Sequence, residues 1–186
     1  MQNWMKALTS DLLQFLNESP CNFLAVKNVI TRLERAGFSE ADMAEPWTLA
    51  PGDRRYVVKN SSAIFAFVVG SDTPAAGFHI ISAHSDSPGF RIKPNAEIVG
   101  EGGMVTLNTE VYGGPILYTW FDRPLSIAGR VTVRSSDPLN PDTRMVNFGR
   151  PLLTIPHLAI HFNRAVNEGN PLSRQRDMLP VLGRVE

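Results

Sequence analysis

The chain is poor in cysteine and in histidine. Cys21 is the only cysteine among 186 residues, so an internal disulfide is impossible and a zinc site built from several thiolates is excluded. Histidine occurs four times. A Gly-x-Ser-x-Gly motif is also absent, and this argues against the nucleophile elbow of a serine hydrolase, although Ser82, Ser85 and Ser87 surround one histidine.

Neither sign of charge is in excess, because 18 Lys and Arg residues are matched by 18 Asp and Glu residues. A nucleic-acid-binding protein usually carries a basic excess or a basic stripe, so we expect no nucleic-acid partner. The longest apolar run, residues 63–69, is too short to span a bilayer, and the N-terminal stretch lacks the continuous apolar segment of a secretory signal. These absences predict a cytoplasmic protein with no membrane partner.

The first half of the chain combines helical and strand patterns. Apolar residues at helical spacing predict a helix over residues 5–17, and a second helix is predicted between Ser19-Pro20 and Gly37. Three strands are expected next, at residues 55–59, 63–69 and 77–83. The last of them, GFHIISA, is apolar on both faces near its end, which is typical of a central strand covered by helices. The pattern predicts a mixed α/β layer structure.

The second half of the chain is rich in short β segments that glycine and proline separate. Their positions are 103–115, 125–136 and 144–156. We therefore expect a second, mainly β unit, with a boundary near residues 93–96 that divides the chain into 1–94 and 95–186. A helix is predicted to close this unit, and it would place His157 and His161, four residues apart, side by side on its surface.

The stretch HIISAHSDSPGFRIKP contains the clearest chemical signal. His84 and Asp86 follow an apolar run, and residues two apart in an extended segment point to the same side. In α/β sheets, ligands bind at the carboxyl ends of strands. A metal-ligating histidine is commonly held by a carboxylate on its second nitrogen. The spacing suits two direct ligands, one ligand with its orienting carboxylate, or a purely local pair without function.

Three blocks of sequence carry a family resemblance. They are SAHSDSPGFRIKP, EVYGGPILYTWFDRPLSIAGRV and RPLLTIPHLAIHFNR, in this order. Together they resemble the aspartyl aminopeptidase family of di-zinc metallopeptidases, over nearly the whole chain. The resemblance implies an α/β catalytic domain, interrupted by an inserted β-rich dimerisation domain. It also implies a dimer-based homo-oligomer, a dodecamer in the family, that removes N-terminal residues, often acidic ones, from peptide substrates.

The same resemblance assigns roles to three residues. His84 matches the family's first zinc-ligand histidine, and Asp86 matches the aspartate that supports it. His161 matches a histidine that reaches into the active site of a neighbouring subunit, whereas His157 receives no catalytic role. The family's remaining ligands for two Zn²⁺ ions, and its glutamate general base, lie downstream of the inserted domain. The resemblance thus implies an incomplete catalytic domain followed by part of the dimerisation domain, inactive and unable to retain zinc by itself.

Two other interpretations stay open on the sequence. The chain could be a non-catalytic dimerisation or interaction module, since its second half resembles a dimerisation domain. It could also belong to a different His-x-Asp metallohydrolase, such as a related peptidase or deacylase with its own insert.

Overall fold

A computed structural model describes residues 2–72, 77–137, 139 and 141–185, and the chain divides into two compact units. The first comprises Met1–Ser87 and Ala128–Val146, and the second comprises Pro88–Ile127 and Asn147–Glu186. The division thus follows Ser87, seven residues before the end of the expected first domain at Pro94. No helix in the described part of the chain is long and apolar enough to cross a bilayer.

The element order places helices first and strands afterwards. The α-helices are α1 (Gln2–Glu18) and α2 (Asn22–Arg35). The strands are β1 (Ser39–Glu40), β2 (Arg54–Lys59), β3 (Ala63–Val68), β4 (Gly89–Val99), β5 (Met104–Tyr112), β6 (Ala128–Val133), β7 (Asp142–Asn147) and β8 (Val181–Arg184). Short 3₁₀ helices occupy Glu101–Gly103, Leu117–Trp120 and Val166–Glu168. Both predicted helices and the strands predicted at 55–59 and 63–69 are confirmed.

The two helices of the first unit are joined by an exposed ion pair. Arg32 of α2 contacts both carboxylate oxygens of Asp11 on α1, at 2.7 and 2.8 Å, and its guanidinium lies 5.0 Å from the centroid of the Phe15 ring. The hydrogen bond to Arg32 lowers the pKa of the Asp11 carboxyl. Because both side chains are exposed to water, the pair contributes little to stability.

The end of α2 is set by a glycine. Gly37 adopts a φ of 84°, in the left-handed region that glycine enters without steric cost. This turn lets the N–H of Phe38 donate to the carbonyl oxygen of Leu33 at 3.0 Å, which is the bond of a Schellman C-cap. The chain then passes directly into β1, which pairs in parallel with β2.

The sheet of the first unit has the order β1-β2-β3. Its β2–β3 hairpin turns at Asn60 and Ser61, whose φ values of 53° and 55° are the positive values that tight hairpin turns require. Tyr56 of β2 is 3% exposed and donates its hydroxyl to Glu34 Oε1 at 2.9 Å. This bond ties the sheet to α2, whose Val26 is 1% exposed.

The prediction of a strand at residues 77–83 is wrong for the described structure. Residues 77–84 have no regular secondary structure, and Phe78, Ile80 and Ile81 are 81%, 76% and 98% exposed. A strand forms only when its backbone N–H and C=O groups pair with a neighbour, and no described strand pairs with this segment. The pattern of a buried strand is present, but the surface that would bury it is not among the described residues.

The second unit is built on an antiparallel sheet of order β4-β5-β8. The register between β4 and β5 shifts between Ile92 and Glu97, where Pro94 lacks the N–H that a regular ladder needs. Its core contains Ile155 and Met178, both 0% exposed, together with the buried side chains of Val105, Leu107 and Leu153. Of the β segments expected in this half of the chain, 103–115 contains β5, 125–136 contains β6 and 144–156 overlaps β7. The residues of β6 and most of β7 belong to the first unit, so they are not part of the second unit as expected.

The closing helix expected around residues 158–166 is wrong. Residues 157–159 have no regular secondary structure, residues 160–162 and 164–165 form turns, and the 3₁₀ helix Val166–Glu168 follows. The hydrogen bonds here span three residues, as from Phe162 N–H to the Ala159 carbonyl at 2.8 Å, instead of the four of an α-helix. Asparagine and glycine are frequent between 163 and 170, and these residues favour turns over helix interiors.

Candidate functional site

The structure brings His84 and Asp86 together in the first unit. His84 Nδ1 lies 2.9 Å from Asp86 Oδ1, as the two-residue spacing predicts. Ser85, between them, donates its hydroxyl to the carbonyl oxygen of Ser62 at 2.8 Å. This bond fixes the middle residue to the β2–β3 hairpin, so the flanking side chains point away from that anchor on a common side.

The contact between the two side chains is compatible with a metal-ligating histidine and an orienting carboxylate. With a proton on Nδ1, the imidazole of His84 donates to the Asp86 carboxylate, and Nε2 keeps its lone pair. The His84 side chain is 91% exposed, whereas the Asp86 side chain is 30% exposed. The nitrogen available for coordination therefore faces open space, and the carboxylate that holds the ring is the more sheltered partner.

The donor set is too small for a complete metal site. Within the described ranges, no group of three or more His, Cys, Asp or Glu residues is placed to hold a metal ion. Zinc sites in proteins use at least three protein ligands. The residues present thus fit one ligand and its orienting partner, and a bound zinc ion would need further ligands from elsewhere.

His161 lies in the second unit, in the turns between residues 157 and 165, and its side chain is exposed. His157, in contrast, is half-buried: its ring stacks on Phe121 with centroids 4.5 Å apart, and the Tyr118 ring meets it edge-on at 6.4 Å. The expectation that both histidines lie side by side on one helix surface is therefore wrong.

Three residues around His157 were missed by the sequence reasoning. The carboxylate of Asp122 accepts the backbone N–H of His157 at 3.0 Å, and Tyr118 donates its hydroxyl to the backbone carbonyl of Asn170. The aromatic stretch YGGPILYTWFDRP, which contains Tyr118 and Asp122, was the visible signal for this cluster. Asn170 carried no signal at all, because the contact spans 52 residues.

Several solved structures share the fold of this chain. The chain matches a cryo-electron microscopy structure of the Ape4 and Nbr1 complex with a TM-score of 0.90 and 37% identity, over 96% of this chain and 34% of that chain. An M18 family aminopeptidase from Thermotoga maritima matches with a TM-score of 0.83 and 23% identity, over 100% of this chain and 40% of the other. The mixed α/β fold is thus one that solved aminopeptidases contain.

Sequence comparison identifies the protein family to which the chain belongs. Residues 15–186 match the family model described as aminopeptidase I zinc metalloprotease (M18). A protein from Clostridium novyi (strain NT), named probable M18 family aminopeptidase 2, is 50% identical over 184 residues, which are 98% of this chain and 42% of that protein. Its namesake from Clostridium acetobutylicum is 52% identical over 173 residues, 92% of this chain and 40% of the relative. The chain belongs to the aminopeptidase I zinc metalloprotease (M18) family.

The family resemblance expected from the three sequence blocks is confirmed, and the idea of a different His-x-Asp metallohydrolase is set aside. The chain spans about two fifths of the length of the curated relatives it matches.

Proposed function

We propose that this chain supplies the first zinc ligand of a metallo-aminopeptidase that removes N-terminal, acidic residues from peptides. The observation that carries the proposal is the His84–Asp86 pair, 2.9 Å apart, in a chain that belongs to a zinc metalloprotease family. In this proposal His84 coordinates zinc through Nε2. Asp86 keeps the imidazole in the required tautomer and orientation.

Zinc at this site would polarise the scissile carbonyl and lower the pKa of the attacking water towards about 7. Two ions are expected, and their other ligands would come from family segments other than those described. The chain's own contribution is the placement of the imidazole: Ser85 fixes the backbone through Ser62, and Asp86 restrains the ring. A ring held before the metal arrives loses less conformational freedom on coordination.

The exposed apolar surface of the first unit supports an incomplete catalytic domain. Phe78, Ile80 and Ile81 are each at least 76% exposed, and they lie directly before His84. On α1, Leu8 and Leu12 are more than half exposed as well. Clusters of exposed large apolar side chains are typical of surfaces that contact further protein. We propose that further strands and helices of the complete enzyme cover this segment, with 1–94 as catalytic and 95–186 as dimerisation sequence.

We also propose a dimer-based homo-oligomer in which His161 acts in a neighbouring subunit. One solved relative of the same fold, from Saccharomyces cerevisiae, is a dodecamer. In a two-fold assembly one surface serves both partners, so an exposed residue on it can enter each partner's cleft. His161 is exposed and lies on a loop, and a neutral imidazole that donates to a developing oxyanion typically contributes about 10²–10³ in kcat.

A second candidate function is a non-catalytic interaction module. The observation that favours it is the lack, within the described ranges, of any group of three possible metal ligands. Activity separates the two candidates. Under both candidate functions, the 186-residue chain by itself should show no turnover of aspartyl or glutamyl peptides. Only a catalytic chain should support turnover once the remaining metal ligands are supplied.

The experiment uses a chimaera in which this chain replaces the aligned segment of the Clostridium novyi relative, with which it shares 50% identity. One preparation carries His161→Ala and intact metal ligands, and the other carries His84→Ala and an intact loop. Each is mixed with itself and with the other under conditions of subunit exchange, and aminopeptidase activity is measured on aspartyl substrates.

If His161 acts in trans, mixed oligomers recover activity that neither parent shows. Exchange is confirmed separately with differently tagged subunits. Confirmed exchange without recovery would contradict the trans role of His161, and an inactive parent chimaera with zinc bound would favour the interaction module.

A further inference from the structure

The stretch from His157 to Asn170 forms a loop whose two ends contact the same tyrosine. At its start, the ring of His157 meets the Tyr118 ring edge-on, with centroids 6.4 Å apart and an interplanar angle of 87°. At its end, the backbone carbonyl of Asn170 accepts the Tyr118 hydroxyl. We call residues 157–170 the His161 loop, because they carry that exposed histidine between the two contacts.

The start of the His161 loop is anchored to the core of the second unit. Ile155 is 0% exposed and accepts the N–H of Asp122 at 2.9 Å. Asp122 has a φ of 54°, an uncommon conformation for a residue other than glycine, and from there its carboxylate accepts the N–H of His157 at 3.0 Å. The ring of His157 then stacks on Phe121. These contacts fix the position of the residue at which the loop begins.

The end of the loop is turned back towards Tyr118 by a glycine. Gly169 directly follows the 3₁₀ helix Val166–Glu168 and has a φ of 84°. This left-handed conformation, which glycine adopts without steric cost, changes the direction of the chain before Asn170. The side-chain amide of Asn170 also donates to Asn163 Oδ1 at 3.2 Å. Asn170 therefore joins the Tyr118 hydroxyl, through its backbone carbonyl, to Asn163 in the interior of the loop, through its side chain.

Between its ends, the loop is held together in the described structure mainly by short-range backbone hydrogen bonds. The backbone bonds that cross its interior join residues three apart, with N–H donors at Phe162, Asn163, Val166 and Glu168. Such turns are weak without tertiary contacts. The large side chains Leu158 and Phe162 are 61% and 81% exposed, so they do not anchor the loop within the described structure. The conformation of the loop must depend on how its ends are held.

We propose that Tyr118 is a positioning residue, whose hydroxyl latches the end of the His161 loop and so sets where His161 is presented. The functional part of this inference rests on the proposed role of His161. Tyr118 does not touch the reacting atoms in this proposal and acts only through the loop. Its side chain is 43% exposed, so removal of the hydroxyl leaves no buried cavity and should not unfold the unit.

The first test needs no catalytic activity. Amide hydrogen exchange is measured on the 186-residue chain and on Tyr118→Phe, which keeps the ring contact with His157 and loses only the latch. Loss of one hydrogen bond that holds the loop should speed exchange at the Phe162 and Asn163 amides roughly two- to tenfold. Tyr56→Phe is the matched control, because it removes a tyrosine hydrogen bond in the first unit and should leave these amides unchanged. Equal exchange rates at these amides in Tyr118→Phe and in the parent chain would contradict the proposal that the Tyr118 hydroxyl holds the loop.

The second test separates the latch from the role of His161. In the chimaera, Tyr118→Phe should lower kcat roughly two- to tenfold with little change in KM, since the loop presents His161 less often in the correct position. Combined with His161→Ala, it should cause no further loss. A looser loop with unchanged kcat, in a chimaera that loses activity on His161→Ala, would refute the positioning role. If His161→Ala itself leaves kcat unchanged, the proposed function of His161 fails, while the exchange result still decides whether Tyr118 holds the loop.

Discussion

Replacement of Tyr56 by phenylalanine removes one hydroxyl group from the interior of the first unit. The Tyr56 side chain is 3% exposed, and its hydroxyl donates to the Glu34 carboxylate at 2.9 Å. Hydrogen bonds to charged groups contribute about 1.5–3 kcal/mol, and this one lies at a partly buried position, so we expect Tyr56→Phe to cost about 1–2 kcal/mol near neutral pH. Urea titrations that follow the far-ultraviolet circular dichroism measure this difference in the free energy of unfolding.

The pH dependence of that difference gives a sharper test. Burial, assisted by the hydrogen bond to Glu34, raises the pKa of Tyr56 from 10.0 to about 12. The folded state thus holds the phenolic proton more tightly than the unfolded chain. The resulting stabilisation is complete below the unfolded pKa of 10.0 and is lost as the pH rises towards 12. The elevation from 10.0 to about 12 corresponds to at most about 3 kcal/mol.

The difference in unfolding free energy between the parent chain and Tyr56→Phe should therefore shrink and then reverse sign as the pH rises from 10 towards 12, because only the parent loses this contribution and the full loss exceeds the difference at neutral pH. Glu34→Gln is the matched control, since it keeps an acceptor oxygen but removes the charge, and it should weaken the pH dependence without abolishing it. A difference between parent and Tyr56→Phe that is absent near neutral pH, or that stays constant through this window, would refute the reasoning.

Two further substitutions, each paired with a control substitution, test the local packing of the second unit. Gly103→Ala should lower the free energy of unfolding by about 1–3 kcal/mol, because Gly103 has a φ of 74° and an added Cβ would overlap the Val185 carbonyl oxygen. Gly183→Ala, with open space around the new Cβ, should change it by less than about 0.5 kcal/mol, and equal effects of the two would contradict the strained geometry. Ile155→Ala should cost about 2–5 kcal/mol because its side chain is 0% exposed. Ile81→Ala, at a side chain that is 98% exposed, should be near neutral, and thermal or urea unfolding of all four variants checks both predictions.

The features that could be predicted from the sequence are those that local interactions determine. Apolar spacing and Gly37 predict the helices α1 and α2, and the β2–β3 hairpin follows from two β-rich runs around Asn60 and Ser61. The contact between His84 and Asp86 could also be predicted, since alternation along an extended chain brings residues two apart to one side.

The features that were missed depend on distant parts of the chain. Residues 77–83 have the pattern of a central strand, but a strand needs paired neighbours, and the described residues supply none. The predicted closing helix does not form, because the carboxylate of Asp122, 35 residues earlier, accepts the backbone N–H of His157. The Asn- and Gly-rich residues 163–170 also favour turns over a helix. The bond from Tyr118 to Asn170 has no local pattern that could reveal it. The roles of His84, Asp86 and His161, and the cytoplasmic location, stay predictions.

The measurement that tests the central claim most directly is zinc content together with activity in the chimaera. Asp86→Asn should weaken zinc binding about 10–100-fold, and His84→Ala should weaken it further, with a matching loss of kcat on aspartyl peptides. His79→Ala is the control, because it removes a neighbouring histidine that lies outside the pair. The account predicts that zinc and activity fall together in His84→Ala and remain at the parent level in His79→Ala. Full zinc occupancy and unchanged kcat in His84→Ala would contradict it.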